Sequence, residues 1–274
     1  MNVMITGAAG GLGRALACEC GSRGYKLFLT DVNEEGLLDI KRGLERRFGI
    51  TAAAKACDLT SSGSVDEMLS FIDRHGIRFD MLLNIAGLDH EGSFMGRKRE
   101  EVVEIVLLNN AATLRITHAI LQRRRPRAHF TIVIVSSLAS MFPMPLKATY
   151  AASKRFLLDF STSLRQELKG RDANVLAFCP GGLATTKEAM EGIAAQGFWG
   201  DATTNPLELA ARRTLDHALA GKAVYVPGGL NRALSILGKA IPRCWIAAAV
   251  CRRWTHAQKK WTNTADTAQE CRVN

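Results

Sequence analysis

The stretch NVMITGAAGGLG, residues 2–13, decides the fold of this chain. Its first half is an apolar strand, and its glycine-rich half leads into a helix that we predict to begin near Arg14. A strand, a glycine-rich turn and a helix start in this order form a phosphate site. Glycines let the backbone approach a pyrophosphate, and the free N–H groups of the helix N-terminus bind the anion. The spacing of Gly7, Gly11 and Gly13 is neither Gly-x-Gly-x-x-Gly nor that of a phosphate loop, and a flexible glycine turn is the alternative.

A second strand, residues 26–30, ends at Asp31. A carboxylate at this point accepts hydrogen bonds from both ribose hydroxyls of an adenosine and repels a 2′-phosphate. The next residue is Val32, not an arginine that could reverse this preference. We therefore predict NAD as the cofactor in preference to NADP. The alternative role for Asp31, as the N-cap of the helix over 37–48, is compatible with either cofactor.

Further strands alternate with helices along the rest of the chain. We predict them at 52–57, 81–83, 131–135, 173–179 and 223–226. This alternation predicts an α/β fold, a Rossmann-type doubly wound parallel sheet of about seven strands. Residues 1–228 form the predicted dinucleotide-binding and catalytic domain, and residues 229–274 form a basic, tryptophan-containing helical extension.

Three side chains that follow the 131–135 strand carry the predicted chemistry. Tyr150 and Lys154 stand at i and i+4, so they share one helix face. A cation there favours the phenolate and lowers the phenol pKa, which lets the phenol give or take a proton near neutral pH. Ser137 can hydrogen-bond the oxygen on which that proton moves. This is the chemistry of carbonyl reduction or alcohol oxidation; the alternative is a helix start with a solvated lysine.

Composition excludes several other classes of protein. The chain has 47% hydrophobic and 23% charged residues, which is ordinary for a globular protein. Its seven cysteines have neither disulfide-like nor zinc-like spacing, and no apolar leader precedes the first strand, so we predict a reduced, cytoplasmic chain without a metal. The net charge is +10, and nine Lys/Arg against two Asp/Glu place +7 of it in residues 222–274. This uneven charge argues against nucleic-acid binding and for a specialised tail.

The tail is apolar as well as basic. Three of the four tryptophans lie there, at 245, 254 and 261. Lys239, Pro242 and Arg243 interrupt an apolar run that is too short to span a bilayer. Tryptophans with basic residues beside an apolar face suit a helix in a membrane interface. The alternatives, packing on a neighbouring subunit or capping the substrate cleft, remain open.

Taken together, the motifs from residue 2 to about 226 resemble the short-chain dehydrogenase/reductase family, single-domain type. The matching residues are Thr6-Gly7-x-x-x-Gly11-x-Gly13, Asp31, Asp58, Asn84-x-Ala86-Gly87, Asn109, Ser137, Tyr150-x-x-x-Lys154 and Pro180-Gly181-x-x-x-Thr185. The resemblance implies the catalytic set Asn109, Ser137, Tyr150 and Lys154. It implies a cofactor site made by Thr6, Gly7, Gly11, Leu12, Gly13, Asp31, Asp58, Leu59, Asn84, Ala86, Gly87, Tyr150, Lys154, Pro180, Gly181 and Thr185.

The resemblance also assigns roles within these sets. Asp58 and Asn84 would line the adenine, and Thr185 would bond the nicotinamide carboxamide. Asn109, in a helix predicted from about 100 to 125, would help hold a water near Lys154 in a proton relay. Asn109 is chosen because its position along the predicted helix matches that of the family's asparagine, and the adjacent Asn110 is the alternative.

The implied function is an NAD(H)-dependent interconversion of a secondary alcohol and a ketone. Apolar residues at 94–95, 141–144, 190 and 198–199 point to an apolar, steroid-, lipid- or acyl-like substrate. A catalytically silent NAD-binding regulatory or scaffold protein is the alternative, but such a protein would normally have lost one of the four catalytic residues. Family members usually pair through helices that would start here near residues 100 and 150, so a homodimer or homotetramer is expected.

Overall fold

The structure is a computed structural model that describes residues 1–185, 190–191, 194, 202–238 and 241–252. The predictions on residues 198–199 of the substrate segment, and on Trp254 and Trp261 of the tail, lie outside these residues.

Strands and helices alternate over almost the whole described chain. In chain order they are β1 (Asn2–Thr6), α1 (Gly11–Ser22), β2 (Lys26–Asp31), α2 (Glu34–Phe48), β3 (Ala52–Ala56), α3 (Ser62–Arg74), β4 (Met81–Asn84), α4 (Arg99–Val106), a π-helical segment (Leu107–Ala112), α5 (Thr113–Leu121), β5 (Phe130–Val135), α6 (Ala148–Glu167), β6 (Ala173–Phe178), α7 (Leu207–Leu219), β7 (Val224–Tyr225) and α8 (Gly229–Leu237). Two short 3₁₀ turns, Phe94–Gly96 and Leu138–Met141, precede α4 and α6.

The seven strands form one sheet in the order β3-β2-β1-β4-β5-β6-β7, and every pair is parallel. This confirms the predicted doubly wound sheet of about seven strands. The chain runs outward from β1 to β3 and then crosses back to place β4 beside β1. The direction in which the chain adds strands to the sheet reverses between β1 and β4. In sheets of this kind, ligands bind at that reversal, just outside the carboxyl ends of the strands. Thr6 and Asn84 are paired at these two strand ends.

Apolar side chains cover both faces of the sheet. Val3 and Ile5 pack in one core cluster, whereas Met4 between them packs in the cluster on the opposite face. All six residues of β5 are buried. A strand that is buried on both sides reads as a continuous apolar run, which is why the parallel sheet is readable from the sequence.

Two helix starts differ from the prediction. Helix α1 begins at Gly11, not near Arg14, because Gly10 already has the extended backbone of an N-cap. Helix α2 begins at Glu34, and its N-cap is Asn33, whose side chain accepts a hydrogen bond from the Gly36 N–H at 3.0 Å. Asp31 is therefore not the cap of this helix, and that alternative is wrong.

The helix predicted from about 100 to 125 spans α4 to α5 and contains the π-helical segment in its middle. A π turn inserts one extra residue and is common at functional sites. Asn109 and Asn110 lie in this segment, and both are buried, with 0% and 7% of their surface exposed.

The described part of the tail contains α8 and a second helix over 243–252, which follows Pro242. A Cβ added to Gly238 would overlap the ring of Phe142, so the end of α8 lies against the segment that follows β5. Within the described residues, no helix combines the length and the apolar character that crossing a bilayer requires. The domain boundary between residues 228 and 229 stays a prediction.

Candidate active site

The glycine-rich turn after β1 packs tightly against the end of β4. Gly7 has a φ of 64°, and an added Cβ would lie 2.8 Å from the Cα of Ala86. The hydroxyl of Thr6 accepts hydrogen bonds from the N–H groups of Ile85 and Ala86, at 3.0 and 3.2 Å. Only glycine fits at position 7, because a larger residue would need both the left-handed backbone and the space that Ala86 fills.

The start of α1 faces the same edge of the sheet. Its N-cap, Gly10, makes no side-chain cap bond, and its first turn contains no acidic residue. The first N–H groups of a helix have no partner within the helix, so they can bind an anion. A Cβ added to Gly13 would overlap the carbonyl oxygen of Gly7, and one added to Gly11 would lie 2.8 Å from the Thr185 carbonyl oxygen. This tight cradle fits the pyrophosphate of a dinucleotide.

Leu12 and Leu59, both predicted at the cofactor, bury their side chains in the two core clusters. Only their backbone groups can reach a ligand. The carbonyl of Leu59 already accepts a hydrogen bond from Arg115 at 3.0 Å.

Asp31 lies beside the glycine-rich turn, where its two carboxylate oxygens accept from the N–H groups of Ala9 (2.9 Å) and Asn33 (3.0 Å). The carboxylate is thus fixed at the carboxyl end of β2, as a ribose-binding residue requires. Sequence reasoning missed the neighbouring Arg14, whose exposed side chain donates to the carbonyl of Ala9 at 2.7 Å. Arg14 therefore places a positive charge beside the same glycine-rich turn to which Asp31 is hydrogen-bonded.

The two residues predicted at the adenine have different surroundings. Asp58 is exposed and accepts from the N–H and the hydroxyl of Thr60, at 2.8 and 2.6 Å. These hydrogen bonds lower the pKa of the Asp58 carboxyl, the bond from the Thr60 hydroxyl most of all. Asn84 is buried and donates to the hydroxyl of Thr117 on α5 at 2.9 Å.

Ser137, Tyr150 and Lys154 come together at the carboxyl end of β5. The Ser137 hydroxyl accepts from the N–H of Ala139 at 3.1 Å, and it lies near enough to the phenol of Tyr150 to lower the pKa of that phenol. Lys154 is only 4% exposed and donates to the carbonyl of Val135 at 3.0 Å. Its Nζ lies 5.6 Å from the centroid of the Tyr150 ring.

Burial dominates the protonation of both groups. It raises the pKa of the Tyr150 phenol; the charge of Asp89 raises this pKa further, while the bond to Ser137 and the charge of Lys147 lower it. Burial lowers the pKa of Lys154 from its ordinary value to about 8. The predicted lowering of the Tyr150 pKa is wrong for this structure, because burial raises that pKa; the cation that opposes the rise is Lys147.

Asn109 points toward this cluster. Its side chain both accepts from the N–H of Leu88 (2.9 Å) and donates to its carbonyl (3.0 Å), and it also donates to the Ser153 hydroxyl at 3.0 Å. A Cβ added to Gly87 would lie 3.0 Å from the Asn109 Oδ1 and 3.1 Å from the Lys154 Nζ. Asn109 and Lys154 therefore converge on Gly87.

Asn110, the alternative to Asn109, turns to the backbone of α6, where it donates to the carbonyl of Ser153 at 2.9 Å. It is not an exposed helix residue. Its bond ties the π-helical segment to α6.

The turn after β6 closes the site from the other side. Pro180 accepts a hydrogen bond from the N–H of Leu138 at 2.7 Å, which joins this turn to the segment after Ser137. The N–H of Gly181 donates to Asn205 at 3.4 Å, and the buried Asn231 of α8 donates to the carbonyl of Thr203 at 3.1 Å. The first helix of the tail is thus fixed to the turn predicted to lie beside the nicotinamide.

Comparison with protein-family profiles matches residues 1–194 to the family described as short chain dehydrogenase. The chain belongs to the short-chain dehydrogenase family. Its members are oxidoreductases that act on CH–OH and keto groups with a nicotinamide cofactor.

Two curated relatives illustrate the likeness in sequence. The chain is 30% identical over 173 residues to very-long-chain 3-oxoacyl-CoA reductase of Laccaria bicolor, covering 61% of this chain and 50% of the relative. It is 29% identical over 182 residues to 3-oxoacyl-[acyl-carrier-protein] reductase FabG of Escherichia coli, covering 66% of this chain and 73% of the relative. The chain thus spans about half the length of the very-long-chain reductases that it matches.

Solved short-chain dehydrogenase structures share the fold. A short-chain dehydrogenase from Sphingobium yanoikuyae in complex with NADPH has a TM-score of 0.71 at 24% identity, covering 88% of this chain and 96% of that one. L-sorbose reductase from Gluconobacter frateurii, complexed with NADPH and L-sorbose, has a TM-score of 0.74 at 20% identity, covering 83% and 95%. Because both sequence identities are below 25%, these two structures show only that the fold is shared.

In this short-chain dehydrogenase, sequence reasoning missed several residues that hold the site together. Ser136 donates to the carbonyl of Lys154 at 2.7 Å, and Ser153 donates to the carbonyl of Tyr150 at 2.8 Å. Asp89 and Lys147 form an ion pair at 2.6 Å beside Tyr150. Lys147 carried one usable signal, since it stands three residues before Tyr150. No signal in the sequence pointed to its contact with Asp89, which is 58 residues away.

Proposed function

We propose that this protein is an NAD(H)-dependent oxidoreductase that interconverts a secondary alcohol and a ketone on an apolar substrate. The observation that carries the proposal is the convergence of Ser137, Tyr150, Lys154 and Asn109 beside the glycine-rich turn. A bound nicotinamide would supply the hydride acceptor or donor.

The side chains supply the proton chemistry. In the oxidation direction the ionised phenol of Tyr150 takes the hydroxyl proton of the substrate, and in reduction the neutral phenol returns it to the carbonyl oxygen. Ser137 holds that oxygen through its hydroxyl. Lys154 would bind the ribose, and Asn109 would hold the water through which the proton leaves.

Two observations support an acyl or similarly apolar substrate. The sequence relatives named above are 3-oxoacyl reductases. Met141, Phe142 and Met144, which follow Ser137, are half-buried, and Phe142 lies against the end of α8. Phe94 and Met95 are exposed instead, so they add nothing to this argument.

The test of the proposal is a turnover assay on 3-oxoacyl thioesters, hydroxysteroids and sugar alcohols, each with NADH or NAD⁺ and with the phosphorylated cofactors. Turnover of an apolar ketone or alcohol is the expected result. Cofactor binding without turnover of any compound would favour the silent NAD-binding scaffold instead. The presence of all four catalytic residues in one cluster speaks against that alternative.

The preference for NAD over NADP depends on Asp31. We expect NADH to bind more tightly than NADPH, and the double variant Asp31→Ser, Val32→Arg to shift the ratio of the two Kd values toward NADPH by about 10- to 100-fold. The variant removes the repulsive carboxylate and adds a guanidinium that can grip a 2′-phosphate. Fluorescence titration measures both constants.

Arg14→Ala is the control for this prediction, because Arg14 is the cation already present at the turn. Tighter binding of NADPH by the native chain, lost in Arg14→Ala, would show that Arg14 and not Asp31 decides the cofactor.

Self-association is also part of the proposal. Large apolar side chains are exposed along α4, the π-helical segment and α5, and on α6: Val103, Val106, Leu107, Leu114 and Phe156. These are the two helical regions through which the resemblance implies pairing as a homodimer or homotetramer. Light scattering of the purified chain gives the molar mass that tests this.

We further propose that the tail touches an anionic membrane surface from a cytoplasmic location. Ile236 and Trp245 are 67% and 70% exposed, and the exposed arginines 232, 243 and 252 lie on the same two helices. Exposed apolar side chains among basic ones suit the interface of an anionic bilayer.

We expect the chain to sediment with vesicles that contain phosphatidylserine more than with pure phosphatidylcholine, and less at high salt. The double variant Ile236→Ser, Trp245→Ser should bind about tenfold more weakly because it loses the buried apolar area. Leu209→Ser, at an exposed position of α7, is the matched control. Equal sedimentation of all three chains would contradict a role for the tail.

A further inference from the structure

A second lysine lies beside the ring of the predicted catalytic tyrosine. The Lys147 Nζ lies 5.7 Å from the centroid of the Tyr150 ring, about as close as the Nζ of Lys154. Two carboxylates hold Lys147 there, Asp89 at 2.6 Å and Glu91 at 3.0 Å. A cation within about 6 Å of an aromatic ring is attracted to its face, and it also stabilises a negative charge on the phenol oxygen.

The loop that carries the two acids is fixed at both ends. Its first residue, Leu88, makes two hydrogen bonds with Asn109, and the N–H of Gly92 donates to the carbonyl of Leu146 at 2.8 Å. Leu146 has a φ of 68°, a left-handed conformation that a leucine adopts only when its surroundings hold it. Loop 88–92 therefore joins Asn109 to the start of α6, where Lys147 is the N-cap.

We propose that Lys147 is a positioning residue for the proton transfer at Tyr150, and that Asp89 is its opposing charge. This inference rests on the proposed oxidoreductase function, which it deepens. The charges of Lys147, Asp89 and Glu91 set how readily the phenol of Tyr150 ionises. None of these three side chains exchanges a proton with the substrate.

The charges around the phenol nearly balance. Lys147, the N-cap of α6, and Lys154, within α6, both lie near the ring of Tyr150. Asp89 and Glu91, on loop 88–92, pair with Lys147. Loop 88–92 also carries His90, which pairs with Glu104 at 3.4 Å, and Cys179, whose pKa burial raises to about 11, lies near Lys154.

Asp89 acts on more than one member of the site. One of its carboxylate oxygens, Oδ1, is buried without a hydrogen-bond partner in the structure. Its charge raises the pKa of Tyr150 as well as opposing the effect of burial on Lys154. Removing Asp89 or Lys147 should therefore move the ionisation of Tyr150 in opposite directions.

The experiment follows the phenol directly, by NMR of the chain labelled with ¹³C at the ζ carbon of tyrosine. The chain has three tyrosines, at 25, 150 and 225, so Tyr150→Phe assigns the signal. Lys147→Met should move the titration of Tyr150 to higher pH by about one pH unit, and Asp89→Asn should move it to lower pH by a similar amount. Lys147→Arg, which keeps the charge, should restore the native titration.

The pH profile of kcat in the oxidation direction should move in the same way, because oxidation needs the ionised phenol. If both variants lose activity with the Tyr150 titration unchanged, the cluster is only a structural clamp and the inference is overturned. Opposite shifts in the titration of a chain that turns over no substrate would support the electrostatic coupling and contradict the proposed function. Should Lys147→Met fail to fold, the isosteric Asp89→Asn still tests the charge balance.

Discussion

Replacing Tyr150 with phenylalanine should lower kcat by about 10³-fold or more, because it deletes only the hydroxyl that gives and takes the proton. The ring remains beside Lys147 and Lys154, so the Kd for NADH should change by less than about threefold. The measurement pairs steady-state kinetics with a fluorescence titration of the cofactor.

Tyr225→Phe is the matched control. Tyr225 stacks on Phe178 at 5.7 Å between ring centroids, on β7 at the edge of the sheet, and no part of the proposed proton path includes it. It should keep native turnover. A Tyr150→Phe variant that retains most of its activity would remove Tyr150 from the chemistry, and with it the proposed mechanism.

Replacing Lys154 with methionine should separate function from stability. Turnover should fall by about 10³-fold, because the proposed ribose contact and the charge beside the phenol are both lost. Stability at pH 7 should rise, since a buried cation is replaced by an apolar side chain of similar length.

The size of the gain follows from the pKa of Lys154. A fall from 10.5 in the unfolded chain to about 8 in the folded one costs about 3 kcal/mol wherever both states carry the proton. The lost bond to the carbonyl of Val135 offsets about 1 kcal/mol, so the expected gain at pH 7 is about 2 kcal/mol.

The sign of the pH dependence is fixed by the same numbers. The folded-state pKa is the lower one, so the penalty is fully present below pH 8 and disappears as the pH rises from about 8 to 10.5. Denaturant unfolding of both chains across this range should show the advantage of Lys154→Met falling by about 3 kcal/mol and changing sign, because the lost bond to Val135 remains when the penalty has disappeared. Lys169→Met, at an exposed lysine just beyond α6, is the control. A variant that is less stable than the native chain at pH 7 would contradict the buried-charge penalty.

The strands and their parallel, doubly wound sheet could be predicted because each strand is a short apolar run that is visible in the local sequence. Residues 2–6 and 131–135 are largely apolar runs in the two-sided core, Gly7 requires a left-handed backbone, and Gly11 and Gly13 leave no space for a side chain. The same local logic failed at helix boundaries. Gly10 and Asn33 cap their helices because of backbone conformation and one side-chain bond, which spacing alone did not reveal.

The choice between Asn109 and Asn110 shows what counting residues along a regular helix leaves open. Both asparagines are buried, and the π-helical segment gives each a different partner on α6, the hydroxyl and the carbonyl of Ser153. A regular helix with 3.6 residues per turn would turn them to faces about 100° apart. The sequence left Asn109 and Asn110 as alternatives, and their spacing did not show that both contact Ser153.

By itself, the sequence determined the family and the doubly wound sheet and singled out Ser137, Tyr150 and Lys154 as candidates, because these depend on residue type at fixed short spacing. Only the tertiary structure decided what surrounds the phenol. Asp89 and Lys147 are 58 positions apart and meet because loop 88–92 leaves β4 at the strand end where α6 begins. Burial and long-range charge set a pKa, and both depend on which distant segments the fold packs together.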